Sequence, residues 1–86
     1  MKSFTYVIKD EIGIHARPAG ELAKCAKTFP GADIVLKANG KEAKATKLMA
    51  IMGMGVKCGQ EVTVEVSGEN EDAVAAALEA FFNANL

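Results

Sequence analysis

The sequence predicts an α+β fold: an open-faced two-layer βαββαβα sandwich, with a four-stranded antiparallel sheet covered on one face by helices. Three observations predict it. Apolar and polar residues alternate near the start of the chain, a helical period replaces this alternation after residue 15, and an Asn-Gly pair separates two further alternating segments. No linker or internal repeat interrupts the pattern, so residues 1–86 are expected to form a single domain.

The first strand and the first helix are predicted from a change of period. Every second residue of Lys2–Lys9 is apolar on one face, which is typical of a half-buried strand. From Ala16 to about Lys27 the apolar spacing becomes that of an amphipathic helix, which Pro30-Gly31 ends. The apolar residues are Phe4, Tyr6 and Ile8 in the strand, and Ala19, Leu22, Ala23 and Ala26 in the helix.

A hairpin follows the first helix. Ile34, Leu36 and Ala38 alternate with polar or exposed positions, which predicts a second strand. Asn39-Gly40 tolerates the positive φ angles of a type I′ turn and therefore predicts a tight connection to a third strand, at residues 41–45.

The second half of the sequence completes the order with a short helix, a strand and a long helix. The short helix is expected from Thr46, as its N-cap, to about Met52, and the strand at Val62–Val66. Asn70 is the expected N-cap of the last helix, whose first turn then carries acidic residues. The expected buried stripe of that helix is Val74, Ala77, Leu78 and Phe81.

Composition narrows the possible functions. Ten basic and eleven acidic residues give a net charge of −1, so no overall field attracts nucleic acid or an anionic membrane. The longest apolar run, Leu48–Met52, is too short to span a membrane, and the first residues lack a signal-like pattern, so a cytoplasmic location is expected. Cys25 and Cys58 have no metal-ligand or CxxC spacing, which favours two free thiols.

His15 and Arg17 are the only histidine and the only arginine of the chain, and both lie where the first helix should begin. The first N–H groups of a helix lack internal partners and carry partial positive charge, so this end is suited to an anion. Pro18 is compatible with a first helical turn. A neutral imidazole can act as a nucleophile and a guanidinium can hold phosphate, which together indicate a phosphoryl-accepting site. The spacing alone also fits a surface helix start with a solvated arginine.

The short helix is too apolar for the surface that it covers. Consecutive apolar residues from Leu48 to Ile51 point around most of a helix, and only one stripe can face the core. Met49 and Met52 are therefore expected in an exposed apolar patch that contacts partners. The alternative is a helix that the core absorbs completely.

Four landmarks together resemble the HPr family, the histidine-containing phosphocarriers of the bacterial phosphoenolpyruvate:sugar phosphotransferase system. The similarity covers nearly the whole chain. The landmarks are Gly13-Ile14-His15-Ala16-Arg17-Pro18-Ala19, Asn39-Gly40-Lys41, Leu48-Met49-Ala50-Ile51-Met52 with Gly55, and Glu61-Val62-Thr63-Val64 before Gly68-Glu69.

The resemblance implies a carrier that is a substrate of partner phosphotransferases and not itself an enzyme. His15 would accept a phosphoryl group on Nδ1 from phosphorylated enzyme I and pass it to sugar-specific IIA proteins or domains. The phosphate would lie against the first helical turn, formed by Ala16, Arg17 and Pro18. No cofactor and no metal are implied, and a monomer is expected. The residues implied in partner binding are Leu48, Met49, Met52, Gly20, Lys24 and Lys27.

Two positions depart from the family pattern. Many Gram-positive members have a regulatory serine at the start of the short helix, and the alignment places Lys47 there, beside Thr46. A lysine cannot accept that phosphate, so kinase regulation is expected to be absent. Gly20 stands where larger residues are common, and it should weaken the first helix by up to about 1 kcal/mol.

Three other classes of protein are alternatives to a phosphoryl carrier. A regulatory adaptor with the same fold would not need His15, and a small metal- or metabolite-binding domain would need clustered ligands that the sequence lacks. An autonomous enzyme would need a base, a second nucleophile or a cofactor loop beside the histidine. Phosphoryl labelling that depends on His15 distinguishes the carrier from all three.

Overall fold

Four strands and three helices form in the order that the sequence predicts. The structure is a computed structural model that describes residues 1–14 and 16–86. Its elements are β1 (Lys2–Val7), α1 (Ala16–Lys27), β2 (Ala32–Ala38), β3 (Lys41–Lys44), α2 (Leu48–Gly53), β4 (Glu61–Gly68) and α3 (Glu71–Asn85). The α+β class and the βαββαβα order are confirmed.

The strands form one sheet in the order β1-β4-β2-β3, in which all neighbours are antiparallel. Val62, Val64 and Val66 of the central strand β4 are completely buried on the helix side. The other face carries polar side chains, including Lys37, whose Nζ lies 3.1 Å from a carboxylate oxygen of Glu65. Apolar and polar residues alternate along the strands because helices cover only one face of the sheet and the other face is open to solvent.

The hairpin between β2 and β3 has the predicted turn. Asn39 and Gly40 have φ angles of 54° and 73°, and Ala38 pairs directly with Lys41. Positive φ at both central residues is what a type I′ turn requires. The prediction from the Asn-Gly pair is therefore confirmed.

Of the two long helices that cover the sheet, α1 uses the predicted side chains and α3 uses a partly different set. In α3 the buried residues are Val74, Leu78 and Phe82, so the expected burial of Ala77 and Phe81 is wrong; both are half-buried. Phe82 points toward the sheet, where it meets two aromatic rings of β1 edge-on, at centroid distances of 5.5 and 5.9 Å. In α1 the expected stripe is buried, and Pro18 joins it.

Neither of the two expected N-cap side chains caps its helix. Asn70 is the N-cap residue of α3, as predicted, but its backbone is left-handed, with φ 54° and ψ 34°, and its side chain makes no capping bond. A capping side chain normally needs an extended backbone to reach the first N–H groups, whereas a left-handed asparagine only turns the chain.

At α2 the N-cap is Lys47 and not Thr46. The backbone N of Ile51 donates to the carbonyl of Lys47 over 3.0 Å, which fixes where the helix begins. Lysine has no side-chain acceptor, so α2 begins without a side-chain cap.

The loop that leads into α1 is held by backbone contacts. Gly13 has a φ of 84°, and a Cβ there would lie 2.4 Å from the carbonyl oxygen of Val56. The next residue, Ile14, donates its N–H to that same oxygen over 3.0 Å. Farther back in the loop, the N–H groups of Lys9 and Asp10 donate to the oxygen of Leu86 over 2.6 and 2.8 Å. These contacts fix the chain immediately before the predicted site.

In the part of the chain that the structure describes, none of the helices is both long and apolar enough to cross a membrane.

Candidate functional site

The predicted phosphoryl acceptor, His15, lies outside the described residues, and so does its expected placement at the start of α1. Its neighbours in sequence are described. Ile14 is buried, and α1 begins at Ala16 and continues without interruption to Lys27. The site is therefore built from the chain on either side of this position.

The N-terminal end of α1 has the electrostatics that an anion needs. The first N–H groups of a helix have no intrahelical acceptor, and the helix dipole adds partial positive charge at that end. The first turn of Ala16–Lys27 contains no acidic residue that would neutralise this charge. Pro18 is buried in the same turn, where its missing N–H costs no helical bond.

Arg17 presents its guanidinium to solvent beside this helix end. Its side chain is 86% exposed, and Nε lies 3.7 Å from Oε1 of Glu21, one turn further along α1. An exposed pair at that distance is weak. The guanidinium can therefore exchange Glu21 for a phosphate oxygen at little cost.

A shallow pocket of about 260 Å³ adjoins Arg17. It combines one cation with two carboxylates, and part of its wall comes from the end of α3. The carboxylates oppose a free anion that would settle in the pocket, which favours brief retention of a phosphate over tight binding. The lining residues are Asp10, Arg17, Pro18, Glu21, Ala84 and Asn85.

Nothing in the sequence indicated this pocket wall. Asp10 and Asn85 are far apart in the chain, and they meet because the loop after β1 is bonded to Leu86. Without the tertiary structure, neither residue has a spacing relation to Arg17.

The predicted docking patch, formed by Leu48, Met49 and Met52 of α2, is exposed. The exposed fractions are 37%, 76% and 37%, whereas Ile51 is completely buried and is the only buried residue of the helix. The expectation that Met49 and Met52 lie at the surface is confirmed, and the alternative of a fully absorbed helix is wrong. Methionine side chains adapt their shape, so such a patch can fit more than one partner.

The remaining residues expected in partner binding lie on α1, which packs against α2. Lys24 and Lys27 are exposed in the last turn, where they also favour the negative end of the helix dipole. Gly20 is half-buried, and a Cβ at this position would have no heavy atom within 4 Å. A partner can therefore approach the helix backbone closely at Gly20.

Sequence reasoning missed one exposed apolar residue near the site. Ile12 is 68% exposed in the loop before Gly13, and its backbone N donates to Oδ1 of Asp10 over 2.9 Å. Continued alternation would have placed Ile12 on the core side with Ile8. The strand ends at Val7, however, so that the residues beyond it no longer follow its period.

The two cysteines are free thiols, as expected. Partial burial raises the pKa of the Cys25 thiol, because desolvation disfavours the thiolate. Cys58 is exposed. Among the described residues, no group of three or more His, Cys, Asp and Glu side chains is arranged to hold a metal ion.

Comparison with known proteins gives a consistent result. Residues 2–84 match the protein family described as PTS HPr component phosphorylation site. The chain is 39% identical over 72 residues to the phosphocarrier protein HPr of Mycoplasma capricolum, an alignment that covers 84% of this chain and 80% of that protein.

Solved structures agree. A Mycoplasma histidine-containing phosphocarrier protein superimposes with a TM-score of 0.89 at 35% identity, covering 93% of this chain and 90% of the other. An HPr dimer from Thermoanaerobacter tengcongensis matches with a TM-score of 0.75 at 32% identity, over 98% and 95% of the two chains.

Proposed function

The chain belongs to the HPr family of phosphocarrier proteins, and from this premise we propose that His15 is the residue that carries its phosphoryl group. The protein is a phosphocarrier of the phosphotransferase system and not an enzyme. The single observation that supports His15 is its position in the sequence directly before Ala16, where α1 begins.

The proposed reaction is an in-line transfer between two histidines. The imidazole nitrogen of His15 attacks the phosphorus of a phosphohistidine on enzyme I; the new N–P bond forms as the N–P bond of the donor breaks. In the onward transfer, His15 is the donor: a histidine nitrogen of the IIA protein or domain attacks the phosphorus, and the N–P bond to His15 breaks. Such transfers depend on positioning and charge stabilisation more than on covalent activation.

The size of the stabilisation suits a carrier. An anion at an exposed helix N-terminus gains about 0.3 to 1 kcal/mol, and up to ~2 kcal/mol in favourable geometry. This can orient a phosphoryl group that is covalently held, but it cannot bind a free phosphorylated ligand tightly. The guanidinium of Arg17 can bind the phosphoryl oxygens. The nearby carboxylates of Asp10 and Glu21 repel the same group and so limit how strongly it is held.

Partner recognition is assigned to the docking patch together with Gly20, Lys24 and Lys27. Both enzyme I and the IIA partners would meet the same surface in turn, which the adaptable methionines allow.

Alanine at Met49 and Met52 should weaken transfer while leaving the thermal unfolding temperature nearly unchanged. A large loss of stability would instead assign these side chains to the core.

The protein is proposed to act in the cytoplasm as a monomer, since a shuttle must present one face to two partners in succession. The dimeric relative makes the oligomeric state a direct test. Light scattering at working concentration should give the mass of a single chain, and a stable dimer would contradict the proposal.

Regulation by the serine-specific kinase of the family is proposed to be absent. Lys47 occupies the N-cap of α2, where the regulatory serine would stand, and Thr46 lies half-buried before it. Incubation with that kinase and ATP should add no acid-stable phosphate. Modification of Thr46 would overturn this assignment.

The proposed function is tested by labelling. With phosphoenolpyruvate, magnesium and a heterologous enzyme I, intact mass should show one added phosphoryl group that acid removes. His15→Ala should abolish the label without unfolding the domain. A label that survives in His15→Ala would exclude His15 as the acceptor, and no label on the unaltered protein would exclude carriage from this enzyme I.

A further inference from the structure

Asn39 does more than form the hairpin turn. Its side-chain Nδ2 lies 3.0 Å from the carbonyl oxygen of Met54, 3.4 Å from that of Gly55, and 3.2 Å from Oε1 of Gln60. All three neighbours are acceptors, and the amide NH₂ is the only part of this side chain that can donate to them. The turn between β2 and β3 is thereby attached to the segment that follows α2.

That segment needs donors from outside the helix. The last turn of α2 is closed by two backbone bonds, from Met54 N to Ile51 O and from Gly55 N to Met52 O, both 3.2 Å. The carbonyls that come after Met52 lie beyond these bonds and have no helical donor.

The hairpin supplies these donors. Lys41 donates from Nζ to the Gly53 carbonyl over 3.3 Å, and Asn39 supplies the next two. Two residues of one turn therefore cap the C-terminal end of α2.

External support matters here because α2 is very short. It has six residues, and helices of this length are not stable by themselves in water. Within α2 only Ile51 is buried, and the C-cap residue Met54 is the next side chain in the core. A helix held by so few buried side chains can change its orientation unless its ends are also held by hydrogen bonds, and its N-terminal end has no side-chain cap.

We propose that Asn39 is a positioning residue for phosphoryl transfer, because it fixes the orientation of α2 and so of the docking patch. This inference rests on the proposed function of that patch. Asn39 does not touch the transferred group; it acts through Met54 and Gly55. Loss of its amide should therefore impair the encounter with partner proteins more than the chemical step.

The turn itself does not require the amide. Asn39 has a φ of 54°, which glycine adopts without strain, so Asn39→Gly keeps the hairpin and removes only the side-chain bonds. The chain also contains a matched control. Asn70 has the same φ of 54°, and its side chain makes no capping bond to α3.

The experiment measures the initial rate of transfer from phosphorylated enzyme I while the concentration of this protein is varied. Asn39→Gly should raise KM about two- to tenfold, the range expected for loss of one or two hydrogen bonds, with kcat within about twofold. Asn39→Asp should raise KM further, because its carboxylate would face three oxygens. Asn70→Gly should leave both constants unchanged.

The outcomes are separable. An unchanged KM in folded Asn39→Gly, or an equal change in Asn70→Gly, would overturn the inference. If Asn39→Gly does not fold, Lys41→Met removes the neighbouring donor to Gly53; an increase in KM alone supports the same assignment, and an unaltered KM refutes it. Failure of the unaltered protein to be labelled at His15 would count against the proposed function instead.

Discussion

At the scale of single residues, the proposed site includes one exposed cation whose neighbour holds it weakly. The guanidinium of Arg17 is almost entirely solvated, and its contact with Glu21 is long. A side chain in this state costs the fold little when it is removed. Its contribution should therefore appear in phosphoryl transfer and not in stability.

Arg17→Ala should slow phosphorylation by enzyme I about tenfold, because one charge-assisted contact to the phosphoryl oxygens is lost. The free energy of unfolding should change by less than about 0.5 kcal/mol, as for other surface substitutions. A time course of labelling measures the phosphorylation rate, and urea denaturation measures the free energy of unfolding. Glu21→Gln is the control, since it removes the partner but keeps the guanidinium; an equal slowing by both variants would contradict the assigned role of Arg17.

The two thiols should differ in reactivity with pH. The raised pKa of Cys25 leaves less thiolate below that pKa, and the side chain is also partly covered, so iodoacetamide should label Cys58 several-fold faster near neutral pH. Mass spectrometry of peptides from a time course gives both rates. Equal rates in the folded protein would contradict the placement of Cys25.

The same pKa shift has a defined effect on stability. Cys25 ionises more easily in the unfolded chain than in the folded one, so the free energy of unfolding is unaffected at low pH and falls as the pH rises through the window between the two values. Cys25→Ala should remove that part of the alkaline decline.

At the scale of secondary structure, α2 is the least self-sufficient element. It begins at a lysine that cannot cap it, and its other end depends on the hairpin. The positive charge of Lys47 also opposes the helix dipole at that end. The short helix thus depends on contacts from other elements, and substitutions at its N-cap should change the free energy of unfolding.

Lys47→Asp should raise the free energy of unfolding by about 1 kcal/mol, since aspartate can accept the free N–H groups and reverses the unfavourable charge. Urea denaturation at low ionic strength measures the gain. Lys57→Asp makes the same change of charge at an exposed loop position and should have little effect. A similar gain in both variants would assign the effect to net charge and not to capping.

At the scale of the whole molecule, the two layers are joined by aromatic packing between α3 and β1. Phe82 is completely buried and meets Phe4 and Tyr6 edge-on, whereas its neighbour Phe81 lies at the margin of the core. The two phenylalanines are adjacent in the sequence and differ only in the side to which the helix turns them.

Phe82→Ala should lower the free energy of unfolding by about 3 to 5 kcal/mol, because it removes a buried ring and leaves a cavity. Phe81→Ala should cost roughly 1 kcal/mol, in proportion to its partial burial. Thermal and urea denaturation of the two variants give the comparison. Equal losses would show that Phe81 is buried as deeply as Phe82 and would contradict this packing.

The sequence by itself determined the order of the elements, the hairpin and the exposed methionines. Each of these depends on local periodicity or turn chemistry: alternation in Lys2–Val7, positive φ at Asn39-Gly40, and too many apolar residues around one short helix. Such patterns act between residues that are near in the chain, so they can be read without the fold. The position of Arg17 in the first turn of α1 was visible for the same reason.

Only the tertiary structure decided which side chains complete these elements. Whether Phe81 or Phe82 faces the sheet depends on rings in β1, and the pocket wall at Asp10 exists because α3 ends beside that loop. The second role of Asn39 likewise arises from carbonyls fifteen residues away or more. These contacts join distant parts of the chain, and their geometry is fixed only when the helices pack on the sheet.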